Sequence, residues 1–190
     1  VVGGQTEVPQ LAGIARPDLL LVNDDDLAYA KIRLDGRSLD TAIAHLSDFE
    51  ESLPRTLVWG AAWDMTRDAE MPGRAFVDLV LSNIHSVGDP SVAQTLLRQL
   101  AGTLDQSVAP EHREAAVADA ADRLLELLRA ATPGSDTQLL LARGLGSAGV
   151  AIDSAPTEGV RVNPISQARS LFPALKNPAN RKKAVGFTPE

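Results

Sequence analysis

Asp89-Pro90-Ser91-Val92-Ala93-Gln94-Thr95-Leu96-Leu97-Arg98-Gln99-Leu100-Ala101-Gly102-Thr103-Leu104 decides the fold class. Aspartate ahead of proline marks a helix start. The carboxylate can accept a free first-turn N–H, and proline at the first helical position gives up no hydrogen bond. Behind it Val92, Leu96, Leu100 and Leu104 recur every fourth residue, with Ala93 and Leu97 widening the stripe. That is the period of a helix with one buried face.

The same pattern extends on both sides. Ser38 can cap a helix through about Phe49, and Pro54 opens a second with Leu57, Val58, Ala61, Ala62 and Met65 on one stripe. Pro72 opens a third, in which Val77, Val80, Leu81 and Ile84 line up. Pro110-Glu111 opens a fifth carrying Val117, Ala121, Leu124 and Leu128; Pro133-Gly134 stops it. Ser135 or Asp136 then caps a sixth through Leu145. The opening prolines at 54, 72, 90 and 110 are separated by 18, 18 and 20 residues. Two helices per ~38 residues approaches the period of HEAT-like arrays, about 40–47 residues. The expected fold is mainly α: an irregular HEAT-like solenoid of antiparallel helix pairs over residues 37–148.

Before the helices, Leu19-Leu20-Leu21-Val22 is a short apolar run, Asn23-Asp24-Asp25-Asp26 is turn chemistry, and residues 27–34 alternate. Ala28, Ala30, Ile32 and Leu34 share one face of that alternation; Leu27, Tyr29, Lys31 and Arg33 share the other. A β-hairpin within residues 1–36 is expected, with Thr6-Glu7-Val8 as a possible third strand, and it reads as the edge of a larger sheet. After Gly146 the helical pattern fails. Five of the 12 prolines lie beyond residue 150, so residues 149–190 are expected to be an extended or disordered basic tail.

Charge divides the chain at the same place. Residues 161–190 carry a net +5, against −12 for the first 160. The absence of cysteine removes disulfides, thiolate metal sites and cysteine nucleophiles. No apolar run reaches the ~18 residues of a membrane span, and no signal peptide is recognisable, so a cytoplasmic location is the expectation. The chain does not start with Met, which suggests a fragment or a processed chain.

Candidate chemistry is sparse. His45, His85 and His112 lie far apart, with no His-Glu-x-x-His that would set two imidazoles one helical turn apart, so no metal ligand is assigned. Asp24, Asp26 and Asp35 stand at calcium-loop positions 1, 3 and 12. Ala28 and Tyr29 occupy positions 5 and 6, where an oxygen ligand and a glycine belong, so the turn reading prevails. Trp59 and Trp63, one turn apart with Asp64 and Arg67 close by, are expected to pack on the next helix. Arg67 is placed to tie Asp64 and Asp68. Arg181-Lys182-Lys183 has no interleaved aromatic and comes after an acidic body, which argues against nucleic acid. No G-x-S-x-G elbow or phosphate-binding loop occurs. No catalytic, cofactor-binding or metal-binding residue is therefore assigned.

One stretch carries a resemblance. Residues Pro17-Asp18-Leu19-Leu20-Leu21-Val22-Asn23-Asp24-Asp25-Asp26-Leu27-Ala28-Tyr29-Ala30-Lys31-Ile32-Arg33-Leu34-Asp35 resemble the point in bacterial aminopeptidase N enzymes, zinc aminopeptidases of the gluzincin type, where a small β-sandwich domain gives way to the C-terminal helical domain. Ser52–Asp68, Met71–Val77 and Gln94–Leu97 agree with it, and the similarity runs from about residue 5 to about residue 147.

The resemblance implies a bowl of helices closing over a peptidase site. The zinc would be held in a separate domain by His-Glu-x-x-His and a downstream glutamate, and a Gly-x-Met-Glu-Asn motif there would bind the substrate's amino group. Those motifs are absent from these 190 residues, so no site residue is carried over. The implied role is that of a non-catalytic C-terminal fragment, with the parent's catalytic domain as partner and peptide as the full enzyme's substrate. A free-standing α-solenoid that binds protein or peptide is the alternative. The tail marks a truncated or frameshifted relative, an excised piece, or appended foreign sequence.

Overall fold

Proline and short polar side chains set the helix starts. The computed structural model describes residues 7–153, which contain six α-helices. These are α1 (Gly36–His45), α2 (Ser52–Arg67), α3 (Gly73–Asn83), α4 (Pro90–Gln106), α5 (Pro110–Ala130) and α6 (Asp136–Asp153). Pro72 is the N-cap of α3, while Pro90 and Pro110 occupy the first positions of α4 and α5. Asp89 caps α4 by accepting the Ser91 N–H, as the opening motif requires. Ser135 Oγ accepts the Gln138 N–H at the start of α6, and Gln138 Oε1 in turn accepts the Gly134 N–H. This reciprocal arrangement resembles a capping box.

The predicted stripes form the core. Val58, Ala61, Ala62 and Met65 of α2, then Val77, Val80, Leu81 and Ile84 at and after α3, are buried. So are Ala93, Leu96, Leu97, Leu100 and Leu104 of α4 and Val117, Ala121, Leu124 and Leu128 of α5. Helix α3 packs against α1, α2, α4 and α5, and α6 packs against α4 and α5. Contacts therefore run along α1–α3–α5 and along α4–α6, as well as between successive helices from α2 onward.

Three expectations need correction. The hairpin does not form: among the described residues there is no strand, and residues 14–35 make an irregular strap along the helices. The alternation is used, but against a helix. Ile32 and Leu34 are buried, the Leu34 N–H approaches Met65 Sδ at 3.3 Å, and Lys31 and Arg33 face outward to acids at the end of α2. Two strands alone bury too little to hold together, whereas a helical face already built offers an apolar floor. Next, Ser38 is not the cap of α1. Asp35 accepts the Ser38 N–H, and the helix ends at His45, followed by a 3-10 turn, Leu46–Asp48.

Helix α6, finally, runs past Leu145 to Asp153, through Gly146 and Gly149. One of its glycines, Gly144, allows close packing, while a Cβ at Gly146 would meet nothing within 4 Å. A Cβ built at Gly144 would lie 2.8 Å from Leu97 Cδ2 of α4, so glycine's poor helix propensity is offset by contact with the neighbour. The expected tail from 149 overlaps α6 at its start and otherwise lies outside the described residues, as do Arg181, Lys182 and Lys183.

Candidate functional site

The residues singled out in the sequence occupy separate places. In the acidic turn, Asn23 (φ 63°) receives the Ala28 N–H on Oδ1 at 2.8 Å and donates Nδ2 to the Ala28 carbonyl at 2.9 Å. Its side chain thus closes the loop in the manner of an Asx turn, and Asp24 and Asp25 point into solvent. His45 Nδ1 lies 3.0 Å from Asp48 Oδ2, His85 is exposed after α3, and His112 stands in the first turn of α5. Among the described residues no group of three or more His, Asp or Glu is placed to hold a metal ion. The three imidazoles on separate elements do not fit a zinc site.

Trp59 is buried in α2, and Trp63 stacks obliquely on Phe76 of α3 with ring centroids 5.4 Å apart. Both tryptophans pack on helices, as their spacing predicts. Trp59 also forms one wall of an open groove of about 280 Å³ between α2 and α4, shared with Gly60, Val92 and Leu96 and rimmed by Thr56, Ser91, Thr95 and Gln99.

A second cleft of about 380 Å³ lies between the first turns of α3 and α5. Arg74 and His112 stand on its rim, with Val77, Val108, Ala115 and Ala116 as apolar lining. Asp78 and Asp119 line it one to two turns further along. Arg123 already serves them, donating to Asp78 Oδ1 at 2.7 Å and lying 3.8 Å from Asp119 Oδ2. That guanidinium also donates to Ser82 Oγ at 3.1 Å and so ties α5 to α3.

The densest charge cluster is one the sequence did not indicate. Asp68 accepts from Lys31 Nζ at 2.8 Å and from Arg33, and the Arg33 Nε pairs with Glu70. Lys31's hydrogen bond first, against an opposing desolvation cost, and then the charges of Lys31 and Arg33 hold the Asp68 carboxyl below its ordinary value. Arg67 does not tie Asp64 to Asp68; the strap's cations take Asp68 instead. The pairing is 37 residues apart in sequence for Lys31, beyond the reach of local spacing rules.

None of these clusters brings a nucleophile, a base and an orienting group together among the described residues. The charge clusters tether one element to another: the strap to the α2–α3 turn, and α5 to α3. A profile of the ERAP1-like C-terminal domain matches residues 19–184. The chain belongs to that family. It is also 52% identical over 147 residues to an aminopeptidase N from Streptomyces lividans. That alignment takes in 77% of this chain and 17% of the relative, so the chain spans about a sixth of that protein's length. The family match reaches residue 184, well past residue 147, near which the resemblance in the sequence ends. In the ERAP1-like domain described here, no helix among the described residues is long and apolar enough to cross a membrane.

Proposed function

We propose that this chain is the non-catalytic C-terminal helical part of an aminopeptidase N-like zinc metallopeptidase. Its parent enzyme removes N-terminal amino acids from peptides; this part shapes the substrate chamber and docks on the catalytic domain, which alone holds the zinc. The observation that carries the reading is the family match across residues 19–184, joined to 52% identity with a much longer relative, of which the alignment takes in 17%. Two structural features support it. The contact order α1–α3–α5 beside α4–α6 is what an irregular HEAT-like solenoid would produce. The exposed large apolar side chains Leu20, Val22, Leu27 and Tyr29 all fall between residues 20 and 29 of the strap that precedes the helices, and apolar side chains exposed in one short stretch favour a protein partner. A cytoplasmic setting belongs to the same proposal.

The test uses the chain by itself and then the whole enzyme. The isolated chain is expected to bind no stoichiometric zinc and to hydrolyse no aminoacyl-anilide. Turnover that survives repurification and is abolished by a chelator would overturn the proposal. In the full enzyme, Leu27→Asp with Tyr29→Asp should loosen the helical part from the catalytic domain, seen as new proteolytic cleavage between them. An enzyme unchanged by that pair of substitutions would remove the docking role.

A further inference from the structure

The contacts that hold the strap to the helices differ in kind from those that hold the helices together. The helical body coheres through buried apolar side chains. To that core the strap adds only Ile32 and Leu34 as buried groups, with Leu19 and Leu21 half-buried against it. Most of its remaining attachment is exposed charge. Arg37 of α1 pairs with Asp18, Lys31 and Arg33 pair with Asp68, and Arg33 also pairs with Glu70. Three neutral bonds join them: the Leu20 N–H donates to Ser38 Oγ at 3.0 Å, Thr41 Oγ1 donates to the Asp18 carbonyl at 3.1 Å, and the Leu34 N–H donates to Met65 Sδ at 3.3 Å.

These contacts fall into two groups. Asp18 and Leu20 engage α1, while residues 31–34 engage the α2–α3 turn, and between them the Asn23–Ala28 turn stands off with Leu27 88% exposed. The receiving turn has an unusual backbone. Ala69 adopts φ 59°, in the left-handed region that a side chain disfavours, and its flanking carboxylates Asp68 and Glu70 both take Arg33.

We propose that Lys31 and Arg33 with Asp68 and Glu70, together with Asp18 and Arg37, form an electrostatic clasp that lets the strap leave the helices as a unit. Ionic strength then sets how much of the time the strap is closed. Exposed ion pairs are weak singly and are screened as the Debye length shrinks, whereas apolar burial in the body is not weakened by salt. Segments with few buried contacts open at lower cost than the core. The device arises from the contacts within this chain and does not depend on the family reading.

Hydrogen exchange followed by mass spectrometry on the full chain tests it, at salt of about 0.01 M and about 1 M, where the screening length falls from ~30 Å to ~3 Å. Peptides covering residues 19–34 should exchange severalfold faster at high salt, while those covering 90–106 keep their protection. Asp68→Asn should give the high-salt rate for the strap already at low salt, and Lys31→Gln a smaller change of the same sign. Strap protection that ignores both salt and Asp68→Asn overturns the proposal. So does a strap with no protection at low salt, or loosening of 90–106 in step with it.

Discussion

Asn83 Oδ1 accepts the backbone N–H of Ser47 at 2.8 Å, joining the last turn of α3 to the chain just beyond α1. The same side chain donates Nδ2 to the carbonyls of Ile43 at 2.9 Å and Leu79 at 3.0 Å, with Ala42 at 3.4 Å. It is 1% exposed. A helix end leaves carbonyls without partners, and here a buried amide from another helix satisfies those of α1. The Ala42 carbonyl also accepts the Leu46 N–H, so removing the amide chiefly leaves the Ser47 N–H and the Ile43 carbonyl without their partner, at about 1–3 kcal/mol per group. Asn83→Ala should therefore cost about 2–4 kcal/mol, read as a lower denaturant midpoint with little change in m-value.

Two glycines should respond in opposite directions to the same substitution. A Cβ at Gly73 would lie 2.7 Å from the backbone carbonyl oxygen of Ser107, which cannot move aside without shifting the α4–α5 turn. At Gly60, within α2, nothing lies within 4 Å of a built Cβ. Gly60→Ala should stabilise the chain by roughly 0.5–1 kcal/mol through helix propensity. Gly73→Ala should destabilise it, since the clash exceeds that gain. Thermal melts of both variants check the contrast.

Acid should weaken the fold through particular carboxylates. Asp35 is held below its ordinary value first by the Ser38 N–H, against desolvation, and then by Arg16; Asp89 is lowered first by the Ser91 hydroxyl and then by its N–H. Asp68 is lowered as well. A lowered pKa in the folded state means the unfolded chain binds protons first as pH falls. The stabilisation is therefore complete above the ordinary carboxylate range and is lost as pH drops through the folded values. Urea midpoints should be flat near neutrality and fall below about pH 4–5, more shallowly in Asp68→Asn.

Deleting residues 154–190 should leave most of the helical circular dichroism in place and lower the melting temperature only modestly, because six helices with a shared buried core already lie within residues 36–153. Collapse of the helical signal on deletion would show that the helical body depends on residues 154–190.

Much of the fold was legible because its determinants are local. Asp89-Pro90 specified the start of α4 by the chemistry of two adjacent residues, and the four-residue recurrence from Val92 to Leu104 identified its buried face. Trp59 and Trp63 were placed correctly for the same reason. What failed was each inference that needed to know the partner. The alternation at 27–34 was right for Ile32 and Leu34 but not for Ala28 and Ala30, which it put on the same face and which are exposed, and it said nothing of whether a strand or a helix would meet them. Gly146 and Gly149 looked like helix breakers because propensity was visible and the packing of α6 on α4 and α5 was not.

The sequence by itself determined the helices, the starting points of α3 to α6, most of the buried stripes and the family, since periodicity, capping and motif identity all act over short spans; the starts of α1 and α2 fell at Gly36 and Ser52 instead of Ser38 and Pro54. Only the tertiary structure decided that Asn83 closes α1, that Asp68 receives Lys31 and Arg33, and that Gly73 lies against Ser107. Those pairs are separated by 34 to 40 residues, and they meet only because buried apolar faces first set the helices at fixed offsets. A polar side chain's partner is then chosen by that packing, not by its neighbours in the chain.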